Sequence, residues 1–313
     1  MIEIEVQKAY QGDCIWIRCL GKENVNIVID AGPSTFAKGF KELANRIKIS
    51  GERINLLIFS HIDDDHIKGC IRYFQDKGEK IVDRVWINGY GTTVYSKMQE
   101  HSVNNVSSVV DLIESNGISV DAPVYEGKEY KLKDVFIKAI GPTEKDIVVV
   151  ADKIDKITEH SGSSFVGSID EVVDEYKPDV SPTNKASILI IIEFENKKLL
   201  FTGDSTAENI VKALDKFCVS DKFEVVKLPH HGSPRNISRE LINRLNTNKF
   251  MISTNKKVDK VTLRRLVEEK EHVELLINYS WWKQEYFTTE DKEKYIDTGR
   301  IIMKDIGDKK ESL

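Results

Sequence analysis

No stretch of this sequence stays apolar long enough to cross a bilayer: the longest run, Ile188 to Ile192 with its flanks, falls far short of the roughly 20 residues a spanning helix needs. The opening residues, MIEIEVQKAYQGDC, carry neither the basic stretch nor the apolar stretch of a secretory signal and read instead as a first strand. Cysteine is scarce: Cys14, Cys19, Cys70 and Cys218 fall in no CxxC spacing and suit reduced thiols in cytoplasm. An excess of positive charge is lacking too. The formal net charge is −5, so binding to nucleic acid would need a local basic patch or a bound cation. No internal repeat and no low-complexity tract breaks the chain.

What is present is the make-up of an ordinary globular protein, 313 residues with 40% hydrophobic and 31% charged. Strand-like segments at Ile2 to Val6, Cys14 to Cys19 and Asn26 to Ile29 lead into the turn signal Asp30-Ala31-Gly32-Pro33. Phe36, Phe40, Leu43, Ala44 and Ile47 then recur at helical spacing, and Ile54 to Phe59 reads as a buried strand. Strands follow at Val82 to Asn88 and Val135 to Gly141, with a helix expected over Ser96 to Ser115. Residues 143–183 look like a loose insert with a short helix near Ile169 to Tyr176.

Regularity returns with a hairpin, Ser187 to Phe194 and Lys198 to Thr202, and strands then alternate with helices up to Asn278. Strands first and helices between them predict a layered α/β sandwich. One domain over residues 1–280 is expected, with 281–313 a C-terminal extension packing on it. The aromatic residues Trp281, Trp282, Tyr286 and Phe287 in that extension could pack in the core or offer a surface to a protein partner.

Three motifs carry chemistry. The first is His61-Ile62-Asp63-Asp64-Asp65-His66, where three consecutive aspartates sit between two histidines just after a buried strand. Either Asp65 caps the following helix, or His61, Asp63, Asp65 and His66 converge on a divalent cation while Asp64 points away. The second is Thr202-Gly203-Asp204, which ends a buried strand on an acid and by itself could be a turn. The third is Pro229-His230-His231-Gly232-Ser233, which places two of the seven histidines side by side at a strand end. All three lie where α/β architectures collect ligands, and together they supply ligands for two divalent ions.

These motifs resemble those of the metallo-β-lactamase-fold hydrolases, and in particular the subgroup that includes the soluble hydrolase domain of the competence protein ComEC. The likeness rests on Tyr10-Gln11-Gly12-Asp13, Asp30-Ala31-Gly32, His61 to His66, Asn184 with Ser187, Thr202 to Asp204 and Pro229 to Ser233, in that order. It implies a four-layer αβ/βα sandwich. It also implies that His61 and Asp63 bind a first metal, that Asp65 and His66 bind a second with His230 or His231, and that Asp204 bridges. Asp13 and Asp30 would be structural. Asp63 stands where the family has a second histidine, which makes the site harder and richer in oxygen, so that it tolerates manganese or magnesium better than a histidine-rich zinc site would. His160 is a candidate for the histidine that precedes Asp204 in the family.

Paired ions about 4 Å apart can acidify a shared water and clamp the oxygens of an in-line displacement. The expected function is therefore metal-dependent hydrolysis, foremost of a phosphodiester or nucleotide. Asp65 and Asp204 would hold the attacking hydroxide and the ions, and the spare member of His230 and His231 would protonate the leaving group. The run Lys256-Lys257-Val258-Asp259-Lys260 and the pair Arg264-Arg265 could contact phosphate or lie on a solvated helix face. Two alternatives stand beside this: hydrolysis of an ester, lactone or thioester, and a partner-binding subunit of a bacterial defence assembly with a vestigial site.

Overall fold

Strand residues here alternate between two apolar destinations, and this alternation builds the layers. In β4 (Leu56–Ile58), Leu56 and Ile58 face one way and Leu57 the other, yet all three are fully buried. Strands covered on both faces read as continuous apolar runs, which is why these segments stand out in the sequence. The computed structural model describes residues 1–88, 109–147, 167–217, 219–307 and 309–313.

Among the described residues the strands form two sheets. In the first, β1 (Ile2–Val6), β2 (Ile15–Cys19) and β3 (Val25–Ile29) run antiparallel to one another; β4, β5 (Arg84–Trp86) and β6 (Ser119–Asp121) continue parallel to β3. The second opens with antiparallel β7 (Glu129–Leu132), β8 (Val135–Gly141), β9 (Leu189–Phe194) and β10 (Lys197–Phe201). It continues in parallel through β11 (Val225–Lys227), β12 (Lys249–Ile252), β13 (Val273–Ile277) and β14 (Ile301–Asp305). A last strand, β15 (Lys310–Ser312), returns to the first sheet beside β1.

Three separate apolar layers follow. Ile4, Ile17, Ile27, Leu56 and Ile58 of the first sheet meet Ile137, Ile190, Ile192, Leu199 and Met251 of the second. The outer face of the first sheet, Val28 and Leu57, takes Phe40, Leu43, Ala44 and Ile47 of α1 (Ala37–Ile49). The outer face of the second, Leu200, Val226 and Leu275, takes α4 (Ala207–Lys216), α5 (Arg239–Arg244) and α6 (Lys260–Glu269) through Ile210, Leu214, Leu241 and Leu266. Helices, sheet, sheet, helices: this is the four-layer αβ/βα sandwich. Between β4 and β5 lie the short helices α2 (Asp64–Ile67) and α3 (Ile71–Gln75).

Several expectations need correction. Residues 281–313 are not an extension laid on a finished domain, because β14 and β15 each complete an edge of a sheet. Trp281, Tyr286 and Phe287 are each 7% exposed and belong to the core beneath the second sheet, and the half-buried Trp282 packs against it. The helix expected near Ile169 to Tyr176 is a single 3-10 turn, Ile169–Glu171, and residues 172–181 form no helix or strand. Side-chain tethers hold them that way: Asp174 pairs with Arg265 and Arg239, and Tyr176 donates to Glu208. Of the helix over Ser96 to Ser115, residues 109–115 are helical and the rest lie outside the described residues, as does His160.

Candidate metal centre

Five of the parallel strands deliver the site from their C-terminal ends, which point to the same edge of the sandwich. Asp30 follows β3, Ser60 and His61 follow β4, Asp204 follows β10, His230 and His231 follow β11, and Ser253 follows β12. Asp63 occupies the N-cap position of α2 but makes no capping hydrogen bond. Its Oδ2 instead lies 3.6 Å from His61 Nε2 and accepts from Thr183 at 3.3 Å. Asp64 is exposed and paired with Lys68, so it does point away.

Asp204 Oδ2 is the focus. His66 Nε2 and His231 Nε2 each lie 3.5 Å from it, and His61 Nε2 and His230 Nε2 each lie 3.9 Å away. Asp65 closes the group on one side, with Oδ1 3.9 Å from His66 Nε2 and Oδ2 3.8 Å from His231 Nε2. These gaps are too long for charge-assisted hydrogen bonds, which close to about 2.7–2.9 Å. They are near the spacing of about 3.4 Å between neighbouring ligands of a four-coordinate ion with bonds of about 2.1 Å.

The other ring nitrogens are occupied. His66 Nδ1 is 2.8 Å from Asp30 Oδ2, and His231 Nδ1 is 2.9 Å from the Ser253 carbonyl. The Ser60 hydroxyl donates to Asp30, leaving its oxygen to accept from His61 Nδ1 at 3.0 Å. Each of these three rings is therefore held at Nδ1 and turns its Nε2 inward, the arrangement of metal-ligating histidines. Those three Nε2 atoms are buried without a hydrogen-bond partner among the described residues. Orphaned buried polar atoms are costly, and three converging on one carboxylate fit a cation. His61, His66 and Asp204 form one candidate ligand set, and Asp65, His66 and His231 another.

The two adjacent histidines differ. His231 Nε2 belongs to the Asp65 group. His230 stands at the rim with its side chain 35% exposed, its Nδ1 3.1 Å from Asn236 Oδ1 and 3.5 Å from Asp179 Oδ2. Both have left-handed backbones, φ 47° and 54°, a conformation that costs a non-glycine residue of order 1–3 kcal/mol. Such strain persists only where the surroundings fix the chain.

Electrostatics agree with the geometry. Burial alone would raise the Asp204 carboxyl, but His231, His66, His230 and His61 around it hold it well below the usual range. Burial would lower His66, yet Asp204, Asp30 and Asp65 raise it well above an ordinary imidazole. His230 is pushed up to about 9, where burial is outweighed by Asp204 and Asp179. Protons and a metal ion would therefore compete for the same nitrogens, and loading would release protons.

Sequence reasoning named Asp13 and Asp30 but missed Lys227, Asp179 and Asn236. Lys227 is buried in β11 with Nζ 2.7 Å from Asp13 Oδ2 and 3.7 Å from Asp204 Oδ1. Asp13 in turn lies 3.4 Å from His231 Nδ1. Asp179, from the insert, accepts from Asn184 at 2.6 Å and Asn236 at 2.9 Å. The basic residues sort apart: Lys260 is buried against Asp291, Arg265 against Asp174, and Arg264 pairs with Glu268. Only Lys256 and Lys257 of that group remain exposed.

A family model described as the metallo-beta-lactamase superfamily matches residues 8–85, which include His61 to His66. Among solved structures, the chain is similar to the metallo-beta-lactamase fold protein YhfI from Bacillus subtilis, at 10% identity and TM-score 0.44, covering 98% of this chain and 97% of that one. It is also similar to Zn(2+)-bound PqqB from Methylobacterium extorquens, at 7% identity and TM-score 0.49, covering 99% and 100%. A third is CmlA, a diiron beta-hydroxylase from Streptomyces venezuelae, at 13% identity and TM-score 0.47; this chain is covered over its whole length and spans 53% of that protein. No curated protein matches the sequence.

Proposed function

We propose that the chain is a metal-dependent hydrolase of phosphodiesters. The observation that carries the metal is the convergence of His61, His66 and His231 Nε2, all buried and unpartnered, on Asp204 Oδ2. His61, Asp63 and Asp204 would hold one divalent ion, and Asp65, His66, His231 and Asp204 a second, zinc or manganese. When bound, such ions supply concentrated positive charge and a water of lowered pKa, which suits an ester whose oxygens need charge more than covalent help.

The residues divide the remaining work. Asp30, Ser60 and the Ser253 carbonyl fix ring orientation through Nδ1, so that the three Nε2 atoms stay aimed inward. Asp204 is reached by Lys227 on its Oδ1 side, which leaves Oδ2 for the ions. His230, held at Nδ1 by Asn236 beside Asp179, is placed to keep a proton on Nε2 for a departing oxygen. The ComEC-like order of the six motifs supports the phosphodiester reading over an ester or lactone.

The test is elemental analysis of protein purified without chelator, followed by hydrolysis of bis(p-nitrophenyl) phosphate with zinc or manganese. Asp204→Asn should lose both bound metal and turnover. Metal-loaded protein that leaves phosphodiesters intact while hydrolysing thioesters or lactones would overturn the substrate class. Protein that takes up no divalent ion would overturn the reading altogether.

A further inference from the structure

Among the candidate ligands Asp63 is the one least fixed by its surroundings. Its side chain is 37% exposed, where those of His61, His66 and Asp204 are 4% exposed or less. An aspartate at a helix N-cap ordinarily turns its carboxylate to the first N–H groups of that helix, yet Asp63 at the head of α2 makes no such bond. His61 Nε2, 3.6 Å from Oδ2, lies beyond hydrogen-bond reach. Among the described residues one hydrogen bond reaches this carboxylate: Thr183 Oγ1 donates to Oδ2 at 3.3 Å.

Thr183 is delivered by a single helical turn, Pro182–Lys185, on the way into β9. The chain here is fastened beside the centre several times over. Asn184 Nδ2 donates to Asp179 at 2.6 Å, Ser187 Oγ accepts from Asp204 N at 3.1 Å, and Ile188 N donates to the Ser60 carbonyl at 2.7 Å. Ser181 caps the turn by accepting from Asn184 N at 3.4 Å, and its Oγ lies 2.9 Å from Thr183 Oγ1. An ionised carboxylate only accepts, so Thr183 gives its one hydroxyl proton to Asp63 and takes that of Ser181. Asn184 N–H, Ser181 O–H, Thr183 O–H and Asp63 thus form a one-way chain in which each bond polarises the next.

We propose that Thr183 is the positioning residue for the ion that His61, Asp63 and Asp204 would hold: its hydroxyl, directed by Ser181, keeps the exposed Asp63 carboxylate turned toward His61. The proposal rests on the metal reading and is indifferent to the substrate. It makes uptake at this position depend on a residue outside the six motifs, at the end of the insert, while the other position keeps its own supports. His66 is fixed there by Asp30, and His231 by the Ser253 carbonyl. Partners of this kind set the orientation of a ligand before the ion arrives, so their loss is felt as affinity. A carboxylate as open as Asp63 has the most orientations to lose, and so the most to gain from a fixed donor.

The test is calorimetric titration of the chelator-stripped full chain with manganese or zinc alone. Wild type should take up two ions, and the step lost in Asp63→Asn identifies the one at issue. Thr183→Val keeps the shape of the side chain and removes the hydroxyl. It should weaken that step by about 10- to 100-fold and leave the other step as it is. Thr183→Ser, which keeps the hydroxyl, should bind as wild type does. Urea unfolding with chelator present should not distinguish Thr183→Val from wild type, since the hydroxyl acts on the ligand and not on the fold. Ser181→Ala should weaken the same step to a smaller extent, and decides the matter if Thr183→Val does not fold. Both steps unchanged in Thr183→Val, or in Ser181→Ala where that variant has to decide, overturn the proposal. So do equal losses in both steps, Thr183→Ser as weak as Thr183→Val, or a wild type whose single ion is retained in Asp63→Asn. A wild type that takes up no ion removes the metal reading itself, whereas two ions held unchanged in Thr183→Val remove only the role of Thr183.

Discussion

Lys227→Met should be among the most damaging single substitutions in the second sheet. Lys227 Nζ lies 2.7 Å from Asp13 Oδ2, with the two side chains 1% and 0% exposed, and it also donates to the Gly203 carbonyl at 3.0 Å. Burial would raise the Asp13 carboxyl, but Lys227 and His231 keep it well below the usual range, so the pair is ionised. Methionine matches the volume of the lysine stem and removes the charge together with the hydrogen bond to Gly203, leaving Asp13 buried without its counter-ion. Breaking a buried pair in this way costs about 3–5 kcal/mol. Removing both charges with Asp13→Asn and Lys227→Met should recover part of that loss, giving a coupling of about 1–3 kcal/mol in the double-mutant cycle. The assay is urea unfolding of the four proteins with chelator present, so that ion loading does not enter the balance. A single mutant within about 1 kcal/mol of wild type, or a double mutant no more stable than Lys227→Met, would refute the argument.

Three other outcomes follow from the packing and charge. Gly12→Ala places a methyl 1.9 Å from the Asp65 carbonyl oxygen, so it should destabilise by about 1–3 kcal/mol or more and weaken metal uptake, read by unfolding and by chelator competition. For Glu52, burial would raise the carboxyl, but hydrogen bonds from Arg18, Asn24 and Asn26 lower it from 4.5 to about 2. A depressed folded pKa means that stability is present above about pH 4.5 and lost as pH falls towards 2. Glu52→Gln should flatten that part of the stability profile, and an unchanged acid limb would count against the bonding. Cys14, Cys19 and Cys70 are buried, and burial raises all three thiols, Cys19 to about 12. None of these three should react with a thiol reagent until the protein unfolds.

Much of the site was legible because its residues come in short runs directly after buried strands. His61 to His66, Asp204 and His230-His231 each follow a run of branched apolar residues, and the ends of parallel strands meet at one edge. The support was hidden for a physical reason. Lys227 is one cation in an otherwise apolar strand, and its burial makes sense only with Asp13, which another sheet supplies. Asp179 sits in a stretch without periodicity and acquires meaning through Asn184 and Asn236. The mixed segment Ile301–Asp305 shows no clean alternation, and it is β13 alongside that makes it a strand. Likewise the residues Lys260 and Arg265 look like surface charge until Asp291 and Asp174 are placed against them.

The candidate ligands are divided between the halves of the sandwich. His61, Asp63, Asp65 and His66 hang from the first sheet, Asp204 and His231 from the second, so an ion seated among them would rivet one half to the other. Occupancy then has a mechanical effect as well as a chemical one. An ion at a thousand times its dissociation constant adds about 4.1 kcal/mol of stability, concentrated at the seam where the two sheets meet. Starving the protein of metal should slacken that seam first, and amide exchange at the tips of β4 and β10 should quicken before the outer helices change.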